Sequence, residues 1–187
     1  DCKDEAGLQD RCVTGAINNY TSQLLSYGGD SNTHNLTEAL LFLSHFIGDV
    51  HQPLHVGFTS DEGGNAIDVH WYRRKSVLHH VWDTDIITTL EKRFYDSAAM
   101  DELIQALQTN ITTVWAGQVK KWEACGDIAC PDLYATEGVE VACDWAYKGV
   151  EENSLLGDAY FLSRVPVVNL RLAQAGVRLA ATLNRIF

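Results

Sequence analysis

The sequence predicts a mostly α-helical fold with one short β-hairpin or strand segment, arranged as a single domain over residues 1–187. Apolar residues recur at helical spacing along most of the chain, and the alternation typical of a strand is confined to residues 57–76. No linker, repeat or low-complexity stretch divides the chain. With 187 residues and 46% apolar content, it can bury a sizeable hydrophobic core.

Two helices are predicted before the β segment. The first follows apolar spacing over residues 8–24 and ends at the break of residues 27–30, and the second runs from residue 35 or 37 to Asp49. The second helix is apolar nearly all round, so we expect it to be central and buried. We expect Pro53 to end or kink it.

The β segment and the C-terminal half follow in order. Gly63-Gly64-Asn65 predicts a turn, and apolar residues alternate with polar ones over residues 67–71 as in a short strand. Helical spacing then returns over residues 77–90, 100–122, 133–147 and 160–187. The last helix carries an arginine every seven residues, which we interpret as a solvated face. These arginines are Arg164, Arg171, Arg178 and Arg185.

Charge and hydropathy exclude two classes of protein. The formal net charge is −11, whereas proteins that hold nucleic acid by diffuse electrostatics carry excess Lys and Arg. If the protein acts on a polyanion, a bound divalent metal ion is the expected source of local positive charge. The longest apolar run, residues 39–46, is too short to span a membrane, so we expect no membrane partner.

Cysteines and glycosylation sequons indicate the secretory pathway, with a secreted, extracellular or vacuolar destination. The three sequons begin at Asn19, Asn35 and Asn110. The first residues lack an initiator Met and a signal region, which is typical of a processed chain.

Four of the five cysteines form two near pairs in the sequence. These are Cys2 with Cys12 and Cys125 with Cys130. Cys143 is left over; it is either a buried free thiol or a cysteine that pairs with another chain, and we expect the second.

Histidines and aspartates cluster between residues 45 and 85. His45 and Asp49 stand at i and i+4 of the apolar helix, so both project from one face. His79 and Asp83 repeat this spacing, although His80 at i, i+3 from Asp83 is an alternative. A carboxylate beside an imidazole in an apolar setting is costly unless the pair binds a metal or a hydrogen-bond partner.

His55 follows the Pro53 break and can return to the same place, while His51 and His70 lack a partner at ligand spacing. We interpret His51 and His70 as structural or supporting groups. Nitrogen and oxygen donors without thiolate favour zinc, and iron or manganese remain possible by ligand type.

These motifs resemble the zinc-dependent, single-strand-preferring nucleases of plants and fungi, the family of mung bean nuclease and the plant bifunctional nucleases. The resemblance rests on the run from His45 to His55, the turn Gly63-Gly64-Asn65 and the run from Leu78 to Asp83. It continues through residues 147–151 into the last helix, so it covers essentially the whole chain.

The resemblance implies a three-zinc cleft on a helical scaffold like that of phospholipase C. His45 and Asp49 would bind the first zinc, with Asp49 also bridging to the third and holding the catalytic water. A full second site would consist of His55, His79 and Asp83. The resemblance also favours His79 over His80.

It further implies that Asn65 contacts the scissile phosphate. Zinc lowers the pKa of a bound water and so supplies the nucleophile. The expected activity is hydrolysis of RNA and single-stranded DNA to 5′-phosphorylated products, together with 3′-nucleotidase activity. Single-stranded nucleic acid and 3′-nucleotides are therefore the expected substrates.

The family pattern begins with an N-terminal tryptophan and further ligands that this sequence does not show. We therefore expect the domain to be incomplete at its N-terminus, with a second, N-terminal polypeptide linked through Cys143. Two alternatives remain: a zinc-dependent phosphodiesterase of the phospholipase C type, and a non-catalytic glycoprotein with structural zinc.

Overall fold

The computed structural model describes residues 2–4, 6–29, 34–95 and 99–187, with only the backbone of Ala99. The predicted break over residues 27–30 is visible as far as Gly29; Asp30 lies outside the described residues. The fold is mostly helical with a small sheet, which confirms the predicted fold class.

The elements follow one another along the chain, with two 3₁₀ turns and two π turns between them. The helices are α1 (Val13–Leu24), α2 (Leu36–Asp49), α3 (Leu78–His80), α4 (Ile86–Phe94), α5 (Ala99–Thr112), α6 (Ala116–Glu123), α7 (Pro131–Val141) and α8 (Asp158–Ile186). The strands are β1 (Asp68–Trp71), β2 (Arg74–Val77) and β3 (Ser154–Leu156). The 3₁₀ turns are Pro53–Val56 and Thr59–Asp61, and the π turns are Val81–Asp85 and Ala142–Ala146.

The sheet has the strand order β2-β1-β3. β1 and β2 form the predicted hairpin, with Val69 opposite Ser76, and β3 lies parallel to β1, with Leu155 opposite His70. β3 was not predicted, because three residues are too few to show an alternation. The sheet fixes the point at which the chain enters α3.

Two hydrophobic clusters form the core, and α8 contributes to both. The first, beneath the sheet and α4, contains Trp71, Trp82 and Phe161; the second, between α1, α2 and α7, contains Leu43 and Tyr134. The long helix α8 therefore packs against both clusters, one next to α2 and the other next to α3 and the π turn that follows it.

The prediction of a central, buried helix holds for only one face of α2. Leu43 is fully buried, but the side chains of Leu41 and Phe42 are 67% and 40% exposed. The helix packs against α1 and α8 on one side, so its apolar surface exceeds the surface that these neighbours cover. α2 ends before Pro53, as expected, and that proline opens a 3₁₀ turn.

The arginines of α8 also contradict the interpretation of a solvated face. Arg171 and Arg178 are 4% and 2% exposed, because α7 and the turn after α2 pack over them. Both bind the Glu137 carboxylate, with Nη1–Oε2 distances of 3.1 Å and 2.7 Å. Burial of an arginine requires such pairing, and the carboxylate partner lies more than thirty residues away in sequence.

The extents of two predicted helices differ most from the structure. The first helix begins at Val13 instead of residue 8, since Cys12 is extended and the segment before it folds back through a Cys2–Cys12 disulfide. The helix predicted over residues 100–122 is two helices, separated at residues 113–115.

The structure contains both of the expected cysteine pairs as disulfides, Cys2–Cys12 and Cys125–Cys130. Cys143 is free within the chain and exposed, so the alternative of a buried thiol was wrong. Within the described residues, no helix combines the length and the apolar character that a membrane crossing needs.

Candidate metal centre

The first part of the site lies on the helical run formed by α3 and the π turn that follows it. His79 is in α3 and Asp83 is in the π turn, and His79 Nε2 lies 3.1 Å from Asp83 Oδ2. In the π turn the N–H of Ile86 donates to the carbonyl of Val81, five residues back, which widens the helix at Asp83. Such π turns occur frequently at functional sites.

The 3₁₀ turn after α2 brings His55 to the same place. His55 Nε2 lies 3.0 Å from Asp83 Oδ1, and the His55 and His79 rings stack with centroids 5.0 Å apart. One ligand atom from each of His55, His79 and Asp83 falls within 4.8 Å of the others. The structure therefore gathers the three residues predicted for the full metal site.

Two contacts that the sequence did not reveal hold these ligands. His79 Nδ1 donates to the Gly63 carbonyl over 2.8 Å, which leaves Nε2 for a metal. Gly63 has φ +61°, and a Cβ there would lie 2.5 Å from the Leu54 carbonyl oxygen, so glycine is required. Gln52 Nε2 donates to Asp83 Oδ1 over 2.7 Å.

His55 lies between the Asp49 and Asp83 carboxylates. Burial lowers the pKa of His55, but hydrogen bonds to Asp49 and Asp83 outweigh it and raise that pKa to about 9. Burial raises the pKa of Asp83, yet its bonds to His55 and Gln52 bring it to about 2. Positive charge between the two carboxylates is thus strongly favoured, and a metal cation can supply it in place of the proton.

His45 and Asp49 lie beside this group. Asp49 Oδ2 is 3.9 Å from His45 Nε2, and Asp49 Oδ1 is 2.8 Å from His55 Nδ1. The bond to His55 lowers the pKa of Asp49 despite its partial burial. One carboxylate therefore faces both the His45 position and the three-ligand group.

The donor set fits a metal ion. Two imidazole nitrogens and one carboxylate form a three-ligand set of the kind that leaves a coordination position open. The four cysteines in disulfides and exposed Cys143 take no part in it. A closed, thiolate-rich structural site is therefore not what these residues form.

Other predicted residues lie at or beyond the edge of the group. Asn65 is on the same turn as Gly63, and its amide Nδ2 donates to the Glu62 carbonyl over 3.0 Å. His80 Nε2 lies 3.8 Å from the buried Asp85, so it faces away from Asp83. His70 lies on β1, half-buried and outside the group that the described residues form.

His51 is a buried structural histidine. Nδ1 donates to the Ile47 carbonyl over 2.7 Å, and Nε2 accepts from Arg178 over 3.0 Å. Burial, with the nearby Arg171 and Arg178 charges, lowers the pKa of His51 to about 3, so its ring is neutral. Both ring nitrogens are occupied, which supports the interpretation of His51 as a supporting group.

The three sequon asparagines are on helices or at a helix end. Asn19 and Asn35 are exposed, and Asn110 is half-buried. Asn35 caps α2 through Oδ1, which accepts from the N–H of Glu38 over 3.2 Å, so the glycan-bearing nitrogen of the amide stays available. Glycosylation of all three remains a prediction.

The helical fold brings two imidazoles and a carboxylate from two sequence motifs into one group, a donor set that fits a metal ion. The S1/P1 Nuclease family model matches residues 1–187. The chain belongs to the S1/P1 nuclease family.

The relatives include plant and fungal proteins. Over its whole length the chain is 62% identical to Endonuclease 2 and 57% identical to Endonuclease 4 of Arabidopsis thaliana, and it covers 66% and 64% of those proteins. Over 94% of its length it is 33% identical to Nuclease S1 of Aspergillus oryzae and covers 62% of it. The chain thus spans a little under two thirds of the length of these relatives.

Proposed function

We propose that the protein is a zinc-dependent endonuclease that hydrolyses RNA and single-stranded DNA to 5′-phosphorylated products, with 3′-nucleotidase activity. The observation that carries the proposal is the group His55, His79 and Asp83, with Asp49 beside it, in a family whose plant and fungal members are named nucleases.

The chain's residues prepare this group for a metal and a phosphate. The Gly63 carbonyl fixes the tautomer of His79, and Gln52 fixes the orientation of Asp83, so the donor atoms converge before binding. Zinc bound there would supply a Lewis acid that polarises a phosphate oxygen and lowers the pKa of a nucleophilic water. An open groove of about 510 Å³, lined by Asp49, His55 and His79, gives a substrate access to these side chains.

The acidity of the chain agrees with this proposal. At a net charge of −11 the protein does not attract a polyanion over its surface, so productive contact depends on positive charge within the groove. The Asp49 and Asp83 carboxylates are partly buried and have lowered pKa values, so both are ionised at neutral pH and can balance the charge of a bound cation.

The test uses the protein as isolated, kept non-reduced so that any attached polypeptide remains. After chelation and readdition of zinc, single-stranded DNA, RNA, duplex DNA and a 3′-nucleotide are assayed, and product ends are checked for 5′-phosphate. We expect zinc-dependent cleavage of the first two substrates, release of phosphate from the 3′-nucleotide, and slow cleavage of the duplex. No cleavage of single strands with zinc bound would refute the proposal.

The same preparation distinguishes the alternatives. Zinc-dependent hydrolysis of phosphatidylcholine without cleavage of nucleic acid would establish a phospholipase C type of enzyme. Tight zinc binding without hydrolysis of either substrate would establish a non-catalytic glycoprotein. Replacement of His79 by Ala is the control that ties any activity to the group.

We also propose that the protein passes through the secretory pathway and is secreted or vacuolar. Two disulfides and three sequons at exposed or half-exposed positions support this destination. Enzymatic removal of N-glycans from the natural protein should lower its apparent mass, and an unchanged mass would contradict glycosylation.

A further inference from the structure

The segment of residues 50–56 connects two of the predicted ligands. Asp49 directly precedes it at the end of α2, and His55 lies near its end in the 3₁₀ turn. On one side the segment packs closely on α7. A Cβ on Gly138 would lie 2.5 Å from Val56 Cγ2, so a larger residue there would displace Val56. Van der Waals contact therefore fixes the segment against α7.

On the side of α8 the same segment faces a cavity of about 150 Å³. The segment, the π turn after α3, α4 and α8 all contribute to its walls, which include Gln52, Pro53, Trp82, Val168 and Leu172. Side chains in a cavity wall lack protein atoms opposite them and so lose van der Waals contacts. The position of the segment relative to α8 therefore depends on the polar contacts between them.

Arg171 of α8 provides such contacts at the edge of this cavity, and it is only 4% exposed. Its Nε donates to the His51 carbonyl over 3.1 Å, and its Nη2 donates to the Tyr134 carbonyl over 3.3 Å. Its Nη1 donates to Glu137 over 3.1 Å and to Gln174 over 2.9 Å. Because the guanidinium is planar and rigid, it joins the segment, α7 and α8 in one fixed geometry.

Gln52, the residue after His51, connects this restraint to the ligands. Its Oε1 accepts from the N–H of Leu54 over 2.5 Å, and its Nε2 donates to Asp83 Oδ1 over 2.7 Å. Leu54 directly precedes His55 in the 3₁₀ turn. A displacement of the His51 carbonyl would therefore move His55 and also the hydrogen-bond partner of Asp83.

We propose that Arg171 is a positioning residue for the metal-ligand group: by holding the His51 carbonyl it sets the placement of His55 against Asp83, and so it strengthens metal binding. This inference rests on the proposed zinc-dependent function, but it concerns metal binding and not the chemical step. A purely electrostatic role would act in the opposite direction, because a buried positive charge beside a cation site weakens cation binding. Removal of the guanidinium therefore distinguishes the two roles by the sign of its effect.

The test compares Arg171→Met and Arg171→Lys with the wild type, in the protein as isolated and kept non-reduced. Met removes the charge and the hydrogen bonds but keeps a long side chain, whereas Lys keeps the charge without the planar fork. Arg164→Met is the matched control, because Arg164 lies on the same helix and also donates to two carbonyls, those of Trp145 and Lys148.

The metal-free proteins are titrated with Co²⁺ and with Zn²⁺ in competition. The signal of the group is the part of the Co²⁺ absorption spectrum that the His79→Ala variant lacks. We expect both Arg171 variants to bind metal at the group about 10- to 100-fold more weakly, the usual effect of losing residues that hold ligands in place. The shape of the Co²⁺ spectrum at saturation should also change, because the ligands meet the ion at altered positions, whereas a loss of stability alone would leave that shape unchanged.

Three results would overturn the inference: metal binding by Arg171→Met as tight as in the wild type or tighter, an equal loss in Arg164→Met, or a saturated Co²⁺ spectrum that is unchanged in both Arg171 variants. Arg171→Lys keeps the test valid if Arg171→Met does not fold. A wild type that lacks the signal of the group would overturn the inference and the proposed function together. A wild type that binds metal but cleaves no single strand would refute the proposed function alone, because the titration measures ligand placement without turnover.

Discussion

His79 and His80 are adjacent in the sequence but face different carboxylates. His79 Nε2 lies 3.1 Å from Asp83, whereas His80 Nε2 lies 3.8 Å from Asp85. Successive helical residues point about 100° apart, so only one of two neighbouring histidines can face a given ligand group. Spacing alone left both open, and the folded chain places His79 in the group.

Replacement of His79 by Ala should therefore remove one metal ion and nearly all activity. A three-ligand site reduced to two ligands holds zinc poorly, with a loss of affinity expected beyond about 100-fold. His80→Ala is the matched control and should keep its metal. Mass spectrometry after dialysis measures the metal content of both variants. Loss of metal in His80→Ala but not in His79→Ala would show that the assignment of His79 is wrong.

Asp49 is the residue on which the proposed two-metal arrangement depends, because its two oxygens face His45 and His55 separately. Asp49→Asn keeps the shape of the side chain but removes the charge that bridges two cations. We expect loss of one or both neighbouring zinc ions, retention of the ion held by His55 and His79, and a decrease in hydrolysis on the order of 10³-fold.

Metal analysis beside a single-stranded DNA cleavage assay measures both effects. Asp144→Asn, at an exposed position on the π turn after α7, is the control for a loss of one surface carboxylate. Full zinc occupancy and near-normal turnover in Asp49→Asn would rule out the bridging role.

The sequence predicted the ligands of the group but not the residues that hold them. His79 and Asp83 are recognisable by side-chain type and i, i+4 spacing, and the Pro53 break and the family resemblance added His55 to them. Gln52 and the Gly63 carbonyl carry no such signal: an amide beside a proline and a backbone oxygen occur everywhere, and only the fold brings them within hydrogen-bond distance.

At the scale of elements, hydrophobic periodicity predicted the extents of the helices well, but it did not predict which of their faces are buried. The extents of α2 and α8 agree with the predicted ranges to within a few residues, because each repeats its apolar spacing over several turns. Periodicity does not say which neighbours exist, so the exposed face of α2 and the buried arginines of α8 could not be predicted.

Those arginines connect α8 to the turn that separates two predicted ligands. Arg171 Nε donates to the His51 carbonyl over 3.1 Å, and Arg178 donates to His51 Nε2 over 3.0 Å. Glu137 on α7 accepts hydrogen bonds from both guanidinium groups. Arg171 and Arg178 therefore hold the segment between Asp49 and His55 against α8 through His51.

Glu137→Gln should destabilise the protein by about 3 kcal/mol at neutral pH, because it leaves two buried guanidinium groups without a counter-charge. Burial raises the Glu137 pKa, but Arg178 and Arg171 outweigh it, and the folded-state pKa lies below the ordinary value of a glutamate. The stabilisation is therefore present above the unfolded-state pKa and lost as pH falls through the folded-state pKa.

Urea unfolding of the metal-free protein from neutral to acid pH measures this dependence. The wild type should lose stability steeply at the acid end, and Glu137→Gln should have a flatter profile there. Glu140→Gln, exposed on the same helix, is the control and should follow the wild type. Parallel profiles for wild type and Glu137→Gln would contradict the role of the ion pair.

At the scale of the whole molecule, the chain spans between 62% and 66% of the length of three of its relatives. Its described residues provide one group of three candidate ligands, with His45 and Asp49 beside it. His45 is 66% exposed beside Asp49, so space remains on that side for further ligands. The proposed three-zinc centre therefore calls for donors from outside the described residues.

Cys143 is the chain's available point for a covalent link to such a partner. The other four cysteines are joined within the chain, and Cys143 lies exposed on the π turn Ala142–Ala146, where a second polypeptide can reach its sulfur. In an oxidising compartment, an exposed thiol forms a disulfide when a second thiol can reach it.

We expect the natural protein to migrate, without reductant, as a species larger than this chain and to release the chain when a thiol is added. Cys143→Ser should abolish the larger species while both internal disulfides form normally, since these close short loops that do not involve residue 143. Intact mass before and after reduction identifies the attached polypeptide and separates it from a second copy of the chain. Reduction of the two internal disulfides alone changes the mass only by the added hydrogens. A single species of the same mass under both conditions would therefore exclude the disulfide-linked partner.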